Sequence, residues 1–96
     1  MPYTLVYHPR VVEEDLPPLP LNVQRRIARA LAERLTSAPE QHGVPLKRSL
    51  KGYWKLRIGD YRVVYKIAGR ELLILGIIHR KKVYEEVLRR IVRRPL

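Results

Sequence analysis

The chain has 96 residues, a length that suits a single small domain spanning 1–96, and its apolar share of 46% is that of an ordinary folded protein. It contains no cysteine, which excludes a disulfide framework and a thiolate metal site. Its 20 Lys and Arg against nine Asp and Glu give a net charge of +11, which indicates a polyanionic partner: nucleic acid first, an anionic membrane second.

The positive charge is concentrated in the second half of the chain. Residues 1–48 carry seven Lys and Arg against five acids, and residues 49–96 carry 13 against four. No apolar run approaches the length of a membrane span, and the amino terminus lacks the pattern of a secretion signal. We therefore expect a soluble, cytoplasmic protein that meets its polyanion through its second half.

The first half is predicted to form one strand and two helices. Residues 3–8, "YTLVYH", alternate and are rich in β-formers, which is typical of a short strand. Residues 10–16 fit at most two helical turns before a run of prolines. Residues 21–39 are predicted to form a long helix, with Asn22 as its N-cap and Pro39 as its stop. Its apolar stripe comprises Val23, Ile27, Ala30, Leu31 and Leu35, with Arg34 at the same spacing.

The second half is predicted to form three antiparallel strands. The strands are expected at 53–58, 61–68 and 71–78. Tight turns at Gly59-Asp60 and Gly69-Arg70 join them, because glycine tolerates the positive φ angle that such turns need. The last strand, "LLILGII", is apolar on both faces, which predicts a covered central position in the sheet.

A loop and a final helix complete the predicted fold. The loop at 40–52 is expected to pack Leu46 and Leu50 inward, and the end of the chain, "VYEEVLRRIVRRPL", is expected to be helical. The helix should place Val83, Val87, Leu88 and Ile91 inward and Arg89, Arg90 and Arg93 outward. The order β-α-α-β-β-β-α predicts an α+β fold, in which two N-terminal helices and a C-terminal helix pack on a small, antiparallel-rich four-stranded sheet.

The central hairpin is predicted to carry four cations on one face. If its turn is Gly59-Asp60, Arg57 lies opposite Arg62, and alternation along the strands adds Lys55 and Lys66 to the same face. Like charges directly opposite each other destabilise a sheet, so this pair indicates an anionic ligand. The alternative for a lone pair is that both long side chains splay into solvent.

The segment "HRKKVY" (79–84) is expected to join this face. If the last two strands pair about Gly69-Arg70, Arg62 lies opposite Ile77, which brings Arg80 to the same end of the sheet. Several arginine forks in one place suit a phosphodiester and the charge that develops on it during cleavage.

Together these groups suffice for RNA cleavage without a metal. The 2′-hydroxyl of the RNA attacks the neighbouring phosphate. The protein has only to position the RNA, deprotonate the hydroxyl and stabilise the charge that develops on the phosphate. We expect Lys55 to act as a base and Tyr84 to donate or orient a proton. The histidines, His8, His42 and His79, are scattered without a carboxylate pair, so we expect no metal and no other cofactor.

The segments "LKGYWKLRIGDYRVVYKI" (50–67) and "HRKKVY" (79–84) resemble the RelE/ParE superfamily of toxins from bacterial and archaeal type II toxin–antitoxin pairs. The order of elements is similar to that family over nearly the whole chain. The resemblance implies a RelE-like fold. For the RelE branch it implies an mRNA interferase, a metal-independent endoribonuclease that cleaves messenger RNA in the ribosomal A site and so inhibits translation.

The resemblance to the RelE branch also implies the roles of individual residues. The catalytic positions match Lys55, Arg62, Arg80 and Tyr84. The positions expected to hold RNA phosphates are Lys51, Arg57, Lys66, Lys81 and Lys82. The branch often carries a second lysine where this chain has Tyr53, and Lys51 is its expected substitute on the same face.

Two other functions remain open at this point. ParE-like members share the scaffold and poison DNA gyrase, and a non-catalytic nucleic-acid-binding module would use the same cations only to hold backbone. The presence of Lys55, Arg57, Arg62 and Arg80 together with Tyr84 favours the nuclease. The resemblance further implies a cognate RelB-like antitoxin, the ribosome and mRNA as targets, and promoter DNA bound only by the toxin–antitoxin complex, with no membrane partner.

Overall fold

The computed structural model describes residues 2–93, and the side chains of residues 2–91. Within this part of the chain, a five-stranded sheet forms the centre, in the order β1-β5-β4-β3-β2. Its strands are β1 (Thr4–Tyr7), β2 (Val44–Pro45), β3 (Tyr53–Ile58), β4 (Tyr61–Ala68) and β5 (Glu71–His79). β1 runs parallel to β5, and the other neighbouring pairs are antiparallel. The predicted α+β fold is confirmed, and the two-residue β2 makes the sheet one strand larger than expected.

The strands β3, β4 and β5 form the antiparallel meander that the sequence predicts. Their turns contain Gly59 and Gly69, whose φ angles are 60° and 62°. Glycine stands at both turns because a residue without a Cβ adopts this left-handed conformation at little cost. Arg57 pairs with Arg62, and β5 lies between β1 and β4 as a covered central strand, so both of these predictions are confirmed.

The register between β4 and β5 differs from the regular ladder that we expected. The pairing shifts by one residue between Val64 and Tyr65, because β5 carries a bulge there. Arg62 therefore lies opposite Ile78, and the prediction that it faces Ile77 is wrong. A one-residue slip moves a side chain to the other face of the sheet. Ile77 thus joins the core on one face and Ile78 joins the core on the other.

Both predicted N-terminal helices are present. The first is a short π-helical segment, Val11–Asp15, in which the N–H of Leu16 donates to the carbonyl of Val11 at 3.0 Å. The second is α1 (Leu21–Ala30), which continues into another π-helical segment, Leu31–Leu35. In these π-helical turns the backbone hydrogen bonds join residues five apart, whereas in an α-helix they join residues four apart.

The ends of the long helix differ from the prediction on both sides. Pro20, and not Asn22, is the N-cap, and its carbonyl accepts two hydrogen bonds from the first turn. The helical stretch ends at Leu35, and the predicted stop, Pro39, instead begins a short helix, α2 (Pro39–His42). Proline suits a first helical position because the N–H that it lacks would have no partner there.

The helices that follow β1 cover one face of the sheet with the predicted apolar stripe. Ile27, Ala30, Leu31 and Leu35 are buried and Val23 is half-buried, which confirms the stripe. Full burial of each large aliphatic side chain contributes about 1.5–3 kcal/mol to stability. The sheet residues of this core are Leu56, Ile58, Val63, Tyr65, Leu72, Ile74 and Ile77.

The C-terminal helix, α3 (Val83–Arg93), covers the other face of the sheet. This second core contains Leu46, Leu50, Val64, Leu75, Ile78, Val83 and Val87. Ile91 packs against it and is half-buried. The inward orientation predicted for the two loop leucines and for three of the four apolar helix residues is therefore confirmed.

Two of the orientations predicted for α3 are wrong. Leu88, expected inward, is 38% exposed, and Arg90, expected outward, is only 3% exposed. Arg89 is exposed as predicted, and the side chain of Arg93 lies outside the described residues. Arg90 follows Val83 by seven residues, the spacing that returns to the same side of a helix. Helical periodicity therefore places Arg90 inward, although its charge suggested solvent.

Buried Arg90 is paired with Asp15, whose side chain is also buried. Two nitrogens of Arg90, Nη1 and Nη2, each lie 2.7 Å from a carboxylate oxygen of Asp15. Arg90 also donates to the carbonyl of Leu75, and Asp15 accepts from the N–H of Ile77. The pairing of β5 with β1 ends at Ile74. Beyond this residue, the ion pair provides hydrogen-bond partners for the carbonyl of Leu75 and the N–H of Ile77. The hydrogen bond to Asp15 is the main cause that raises the pKa of Arg90.

Candidate nucleic-acid interface

Four cations of the hairpin lie on the sheet face that α3 partly covers. Lys55 and Arg57 of β3 and Arg62 and Lys66 of β4 share this face with Val64, which packs under α3. Arg57 is exposed and the other three cations are half-buried. The predicted placement of these four side chains on one face is confirmed, and we call them the basic face.

Arg62 bends back over the hairpin turn instead of confronting Arg57. Its Nη1 donates to the carbonyls of Gly59 and Tyr61, at 3.0 Å each. These two acceptors hold the guanidinium at the turn and separate it from the like charge on the paired strand. Its Nη2 and Nε form no hydrogen bond within residues 2–91, so the outer side of the guanidinium remains available to an anion.

Arg80 lies at the same hairpin turn. Its N–H donates to the carbonyl of Asp60 at 2.9 Å, and its Nε lies 3.8 Å from Oδ1 of Asp60. Both side chains are more than half exposed, so this ion pair is weak and a phosphate can replace the carboxylate. Because Arg62 bonds to the residues on either side of Asp60, the two arginines meet at one turn.

Lys55 and Tyr84 meet farther along the basic face. The Nζ of Lys55 lies 5.9 Å from the centroid of the Tyr84 ring, within the range of a cation–π contact. Tyr84 is the second residue of α3 and is 53% exposed. Its ring therefore contacts Lys55 and also remains accessible to solvent. The contact joins β3 to the segment after β5, as the sequence predicts for one combined site.

A cleft of about 350 Å³, which we call the main cleft, lies beside these residues. Lys55, Arg57 and Arg62 of the basic face line it together with Arg34 and His42. The cleft therefore collects cations from β3, β4 and the helical layer around one open space. An anion that enters it meets several guanidinium groups at once, which is the arrangement that a phosphodiester requires.

Sequence reasoning missed four basic residues that line clefts at this site: Arg34, His42, Lys47 and Arg48. Arg34 interrupts the apolar stripe of the long helix, and that interruption was a usable signal, whereas His42 offered none. Lys47 and Arg48 line a second cleft, of about 380 Å³, together with Tyr84. Arg48 has a φ angle of 57°, a conformation that residues with a Cβ adopt uncommonly.

Four predicted phosphate-binding residues lie outside the main cleft. The Nζ of Lys66 lies 5.7 Å from the centroid of the Tyr53 ring, at the end of the hairpin away from the turn. Lys51 follows the turn at 48–50, and it is exposed, as are the two lysines that precede α3, Lys81 and Lys82. None of these four lysines lines the cleft that holds Lys55 and Arg62.

The described part of the chain contains neither a metal-binding cluster nor a membrane-spanning helix. Residues 2–91 contain no group of three or more His, Cys, Asp or Glu side chains that is arranged to hold a metal ion. His79 instead accepts a 3.3 Å hydrogen bond from the N–H of Lys81 and packs edge-on against the ring of Tyr61. No described helix combines the length and the apolar content needed to cross a bilayer.

Comparison with known families gives a match over most of the chain. Residues 5–84 match the family described as the ParE toxin of the type II toxin–antitoxin system parDE. Toxin RelG of Mycobacterium tuberculosis is 31% identical over 86 residues, which cover 88% of this chain and 98% of the relative. The match spans β1 to the beginning of α3, and it therefore includes the hairpin and Tyr84.

Solved structures with the same architecture point to the same superfamily. The toxin–antitoxin complex RelBE2 from M. tuberculosis matches with a TM-score of 0.76 and 30% identity, over 83% of this chain and all of the matched chain. A mutant of the E. coli toxin RelE in its free state matches over the full length of both chains, with a TM-score of 0.73. That second match is 22% identical and bears on the fold alone. The chain described here belongs to the RelE/ParE superfamily of toxins from type II toxin–antitoxin systems.

Proposed function

We propose that this toxin is a metal-independent endoribonuclease that cleaves messenger RNA in the ribosomal A site and so inhibits translation. The observation that carries the proposal is the meeting of two distant segments on one face. Lys55 and Arg62 come from the hairpin, whereas Arg80 and Tyr84 follow β5, and contacts at the turn and at the Tyr84 ring join the two segments. A surface that only held nucleic acid would need the cations but not the tyrosine.

The proposed reaction is a phosphoryl transfer within the RNA. The 2′-oxygen of one nucleotide forms a bond to the adjacent phosphorus, and the bond from phosphorus to the 5′-oxygen of the next nucleotide breaks. The products are a 2′,3′-cyclic phosphate and a free 5′-hydroxyl. Lys55 accepts the proton of the 2′-hydroxyl, and Tyr84, in contact with Lys55, orients or supplies the proton for the leaving oxygen.

The arginines stabilise the charge that develops on the phosphate. Arg62 is held at the turn by two carbonyls and presents its free N–H groups outward. Arg80 reaches the same turn and exchanges the exposed carboxylate of Asp60 for a phosphate oxygen. Donors that are fixed before the substrate arrives need little reorganisation during the reaction, which makes such stabilisation effective.

The proposed partners follow from the same surface and from the relatives. The matched RelBE2 structure is a toxin–antitoxin complex, and we propose a cognate RelB-like antitoxin for this chain. An acidic segment of the antitoxin would neutralise the basic face and so block access of RNA. Promoter DNA is bound only by the toxin–antitoxin complex, and the toxin acts on ribosomes in the cytoplasm.

Inhibition of DNA gyrase is the second candidate function. The observation that favours it is the match of residues 5–84 to the family described as the ParE toxin. This function requires neither Lys55 nor Tyr84 to act on RNA. The third candidate, a nucleic-acid-binding module, predicts RNA binding that falls with salt and survives replacement of Tyr84.

The test is to add the purified protein to ribosomes stalled on a defined messenger and to map cuts by primer extension. We expect a cut confined to the A-site codon, and we expect Arg80→Ala and Tyr84→Phe to slow single-turnover cleavage at least about a hundredfold. Arg70→Ala is the matched control, because Arg70 is an exposed cation at the other tight turn of the meander.

The outcomes separate the three functions. A cut that is lost with Arg80 or Tyr84 but kept with Arg70→Ala supports the nuclease. An intact messenger on active ribosomes, together with inhibited supercoiling by gyrase, assigns the chain to the second candidate. RNA binding that is equal in the native protein and in Tyr84→Phe, with no cut from either, assigns it to the third.

A further inference from the structure

The outer edge of β3 is only partly covered by its neighbour strand. The pairing with β2 involves Trp54 and Lys55, whereas residues 56–58 have a strand partner only on the β4 side. The edge of β3 at residues 56–58 is therefore open, and it separates the side of the sheet with the basic face from the side covered by α1. Arg57 lies on this edge and is exposed.

Arginines of the helical layer line a groove next to this edge. Its volume is about 170 Å³, and Arg26, Arg29, Arg34 and Arg57 line it, with Glu33 as the carboxylate in the lining. We call this the arginine groove. Arg34 and Arg57 also line the larger cleft that contains Lys55 and Arg62. The two spaces thus form a continuous cationic path from the basic face to the outer side of α1.

The four arginines of the groove outnumber its one carboxylate, and none of them is paired within the described residues. Arg26, Arg29, Arg34 and Arg57 are exposed, and none of them forms an ion pair or a side-chain hydrogen bond with another described residue. By contrast, Arg89 of α3 pairs with two glutamates of the same helix. Unpaired like charges in one groove repel each other, so the groove is expected to gain stability from a polyanion.

Arg26 connects the groove to the hairpin turn. A Cβ built on Gly59 would lie 3.2 Å from Nη1 of Arg26, so this guanidinium lies directly against the turn. The same turn holds Arg62 and Arg80. A single extended polyanion can therefore contact the basic face and the arginine groove without leaving the surface.

We propose that the arginine groove binds the backbone of the RNA strand on one side of the cleaved phosphate. The strand runs from the basic face across the open edge of β3 and onto α1. The groove lining contains no aromatic ring on which a base could stack, so the contacts are made to phosphates and do not depend on sequence. This assignment of a strand path rests on the proposed nuclease function.

The test measures binding of single-stranded RNA by a protein that carries Tyr84→Phe, which leaves the RNA intact. In this background, Arg26→Gln with Arg29→Gln is compared with Arg25→Gln with Arg70→Gln. Both pairs remove two exposed arginines and equal charge, but the control residues lie outside the groove. Fluorescence anisotropy at several salt concentrations gives affinities for a twelve-nucleotide RNA, chosen to reach the groove, and for a dinucleotide that occupies only the cleft.

The groove pair is expected to lower affinity for the long RNA about tenfold and to reduce the salt slope by about 1.4, since each lost phosphate contact on a single strand accounts for about 0.7. Its affinity for the dinucleotide stays unchanged. Equal effects of the two pairs on the long RNA would overturn the proposal. Loss of binding to a polyglutamate peptide, with RNA affinity retained, would also overturn it and assign the groove to an acidic protein segment.

The outcomes also separate this proposal from the nuclease itself. If the native protein cuts messenger on ribosomes while the two pairs lower affinity equally, the strand path is wrong and the nuclease stands. If the native protein cuts nothing but the groove pair alone weakens binding of the long RNA, the nuclease is wrong and the groove stands as a binding surface. Thermal unfolding of each variant checks that the exposed substitutions leave the fold intact.

Discussion

At the scale of single residues, oxygen atoms of the protein hold the arginines of the hairpin turn in place before any substrate binds. Arg62 bonds to two turn carbonyls, and Arg80 pairs with the carboxylate of Asp60. Carbonyl and carboxylate oxygens are acceptors of the same kind as phosphate oxygens. The free protein therefore holds both guanidinium groups at one turn through contacts with oxygen atoms of its own.

The buried ion pair between Asp15 and Arg90 is expected to be essential for stability. Asp15→Asn leaves the guanidinium of Arg90 buried with its main counter-charge removed, so we expect a loss of about 3–5 kcal/mol in the free energy of unfolding. Urea denaturation measures it. Glu14→Gln is the control, because Glu14 forms an exposed pair with Arg10 and should cost less than about 1 kcal/mol. Similar losses in both variants would contradict the prediction.

The hydroxyl of Tyr65 is expected to make stability sensitive to alkaline pH. Burial, with a smaller effect from the charge of Glu40, raises the pKa of Tyr65 to about 12, and the hydroxyl donates to the carbonyl of Pro39 at 2.6 Å. An unfolded tyrosine has a pKa of about 10, so the folded state disfavours ionisation. The contribution is therefore complete below about pH 10 and is lost as the pH rises through about 12.

Thermal unfolding between pH 8 and 12, as chosen conditions, tests the role of Tyr65. Tyr65→Phe should cost about 1 kcal/mol near neutral pH, because the hydrogen bond from the hydroxyl to the carbonyl of Pro39 is lost. The stability of this variant should fall less steeply above about pH 10. Other tyrosines and lysines titrate in the same range, so the comparison between the two proteins carries the result. Parallel pH curves would show that Tyr65 is not the sensitive group.

At the scale of elements, the bulge in β5 decides which side chains meet the basic face. Ile78, and not Ile77, lies opposite Arg62 and packs in the core under α3. Alternation along a strand is reliable from a turn outward, but an extra residue inverts it from that point on. The hairpin between β3 and β4 has no such bulge, and its register was therefore predictable from Gly59-Asp60 alone.

Replacement of the turn glycines is expected to separate backbone strain from contact with RNA. Gly59→Ala and Gly69→Ala each force a Cβ into a left-handed conformation, so each should lower the free energy of unfolding by about 1–2 kcal/mol in urea titrations. Only at Gly59 does the new Cβ crowd Arg26, whereas nothing lies within 4 Å at Gly69. We therefore expect Gly59→Ala alone to weaken binding of a twelve-nucleotide RNA. Equal RNA affinity of the two variants would contradict the position assigned to Arg26.

The helices show how far local signals reach. The apolar stripe from Val23 to Leu35 predicted correctly which side of the long helix is buried. The predicted N-cap and stop were both wrong, because Pro20 is the N-cap of α1 and Pro39 begins α2, after the helical stretch has ended at Leu35. Capping preferences are weaker than the packing of a whole face, so the ends of an element are less predictable than its buried side.

At the scale of the whole molecule, many of the basic residues lie on one continuous surface. The basic face, the main cleft and the arginine groove share residues, and together they extend from α3 around β3 to α1. The two apolar cores lie on opposite sides of the sheet, and the buried arginine of the described residues, Arg90, is paired with Asp15. The fold can therefore carry a net charge of +11 without placing an unpaired cation in a core.

This arrangement predicts a steep dependence of RNA binding on salt. If about six phosphates are neutralised, log affinity should fall against log salt with a slope of about −4 for single-stranded RNA. Anisotropy titrations with the Tyr84→Phe protein between 50 and 200 mM salt, the chosen range, measure this slope. Arg10→Gln, at the N-cap of the first π-helical segment, is the control and should leave the slope unchanged. A slope shallower than about −1 would contradict a surface that binds RNA backbone.

The sequence by itself determined four of the five strands, the turns and the shared face of Lys55, Arg57 and Arg62. Periods of two and 3.6 residues act within one element, so the direction of a side chain relative to a nearby turn follows from counting. The family resemblance in residues 50–67 and 79–84 was also legible, and the comparisons confirmed the superfamily.

Only the tertiary structure decided the contacts between elements. The burial of Arg90 depends on Asp15, which lies 75 residues earlier, and the main cleft depends on the approach of Arg34 and His42 to β3. A charged residue is stable in the interior only when a partner from elsewhere in the chain reaches it. Local periodicity carries no information about such partners, because their positions are fixed by the packing of whole elements against each other.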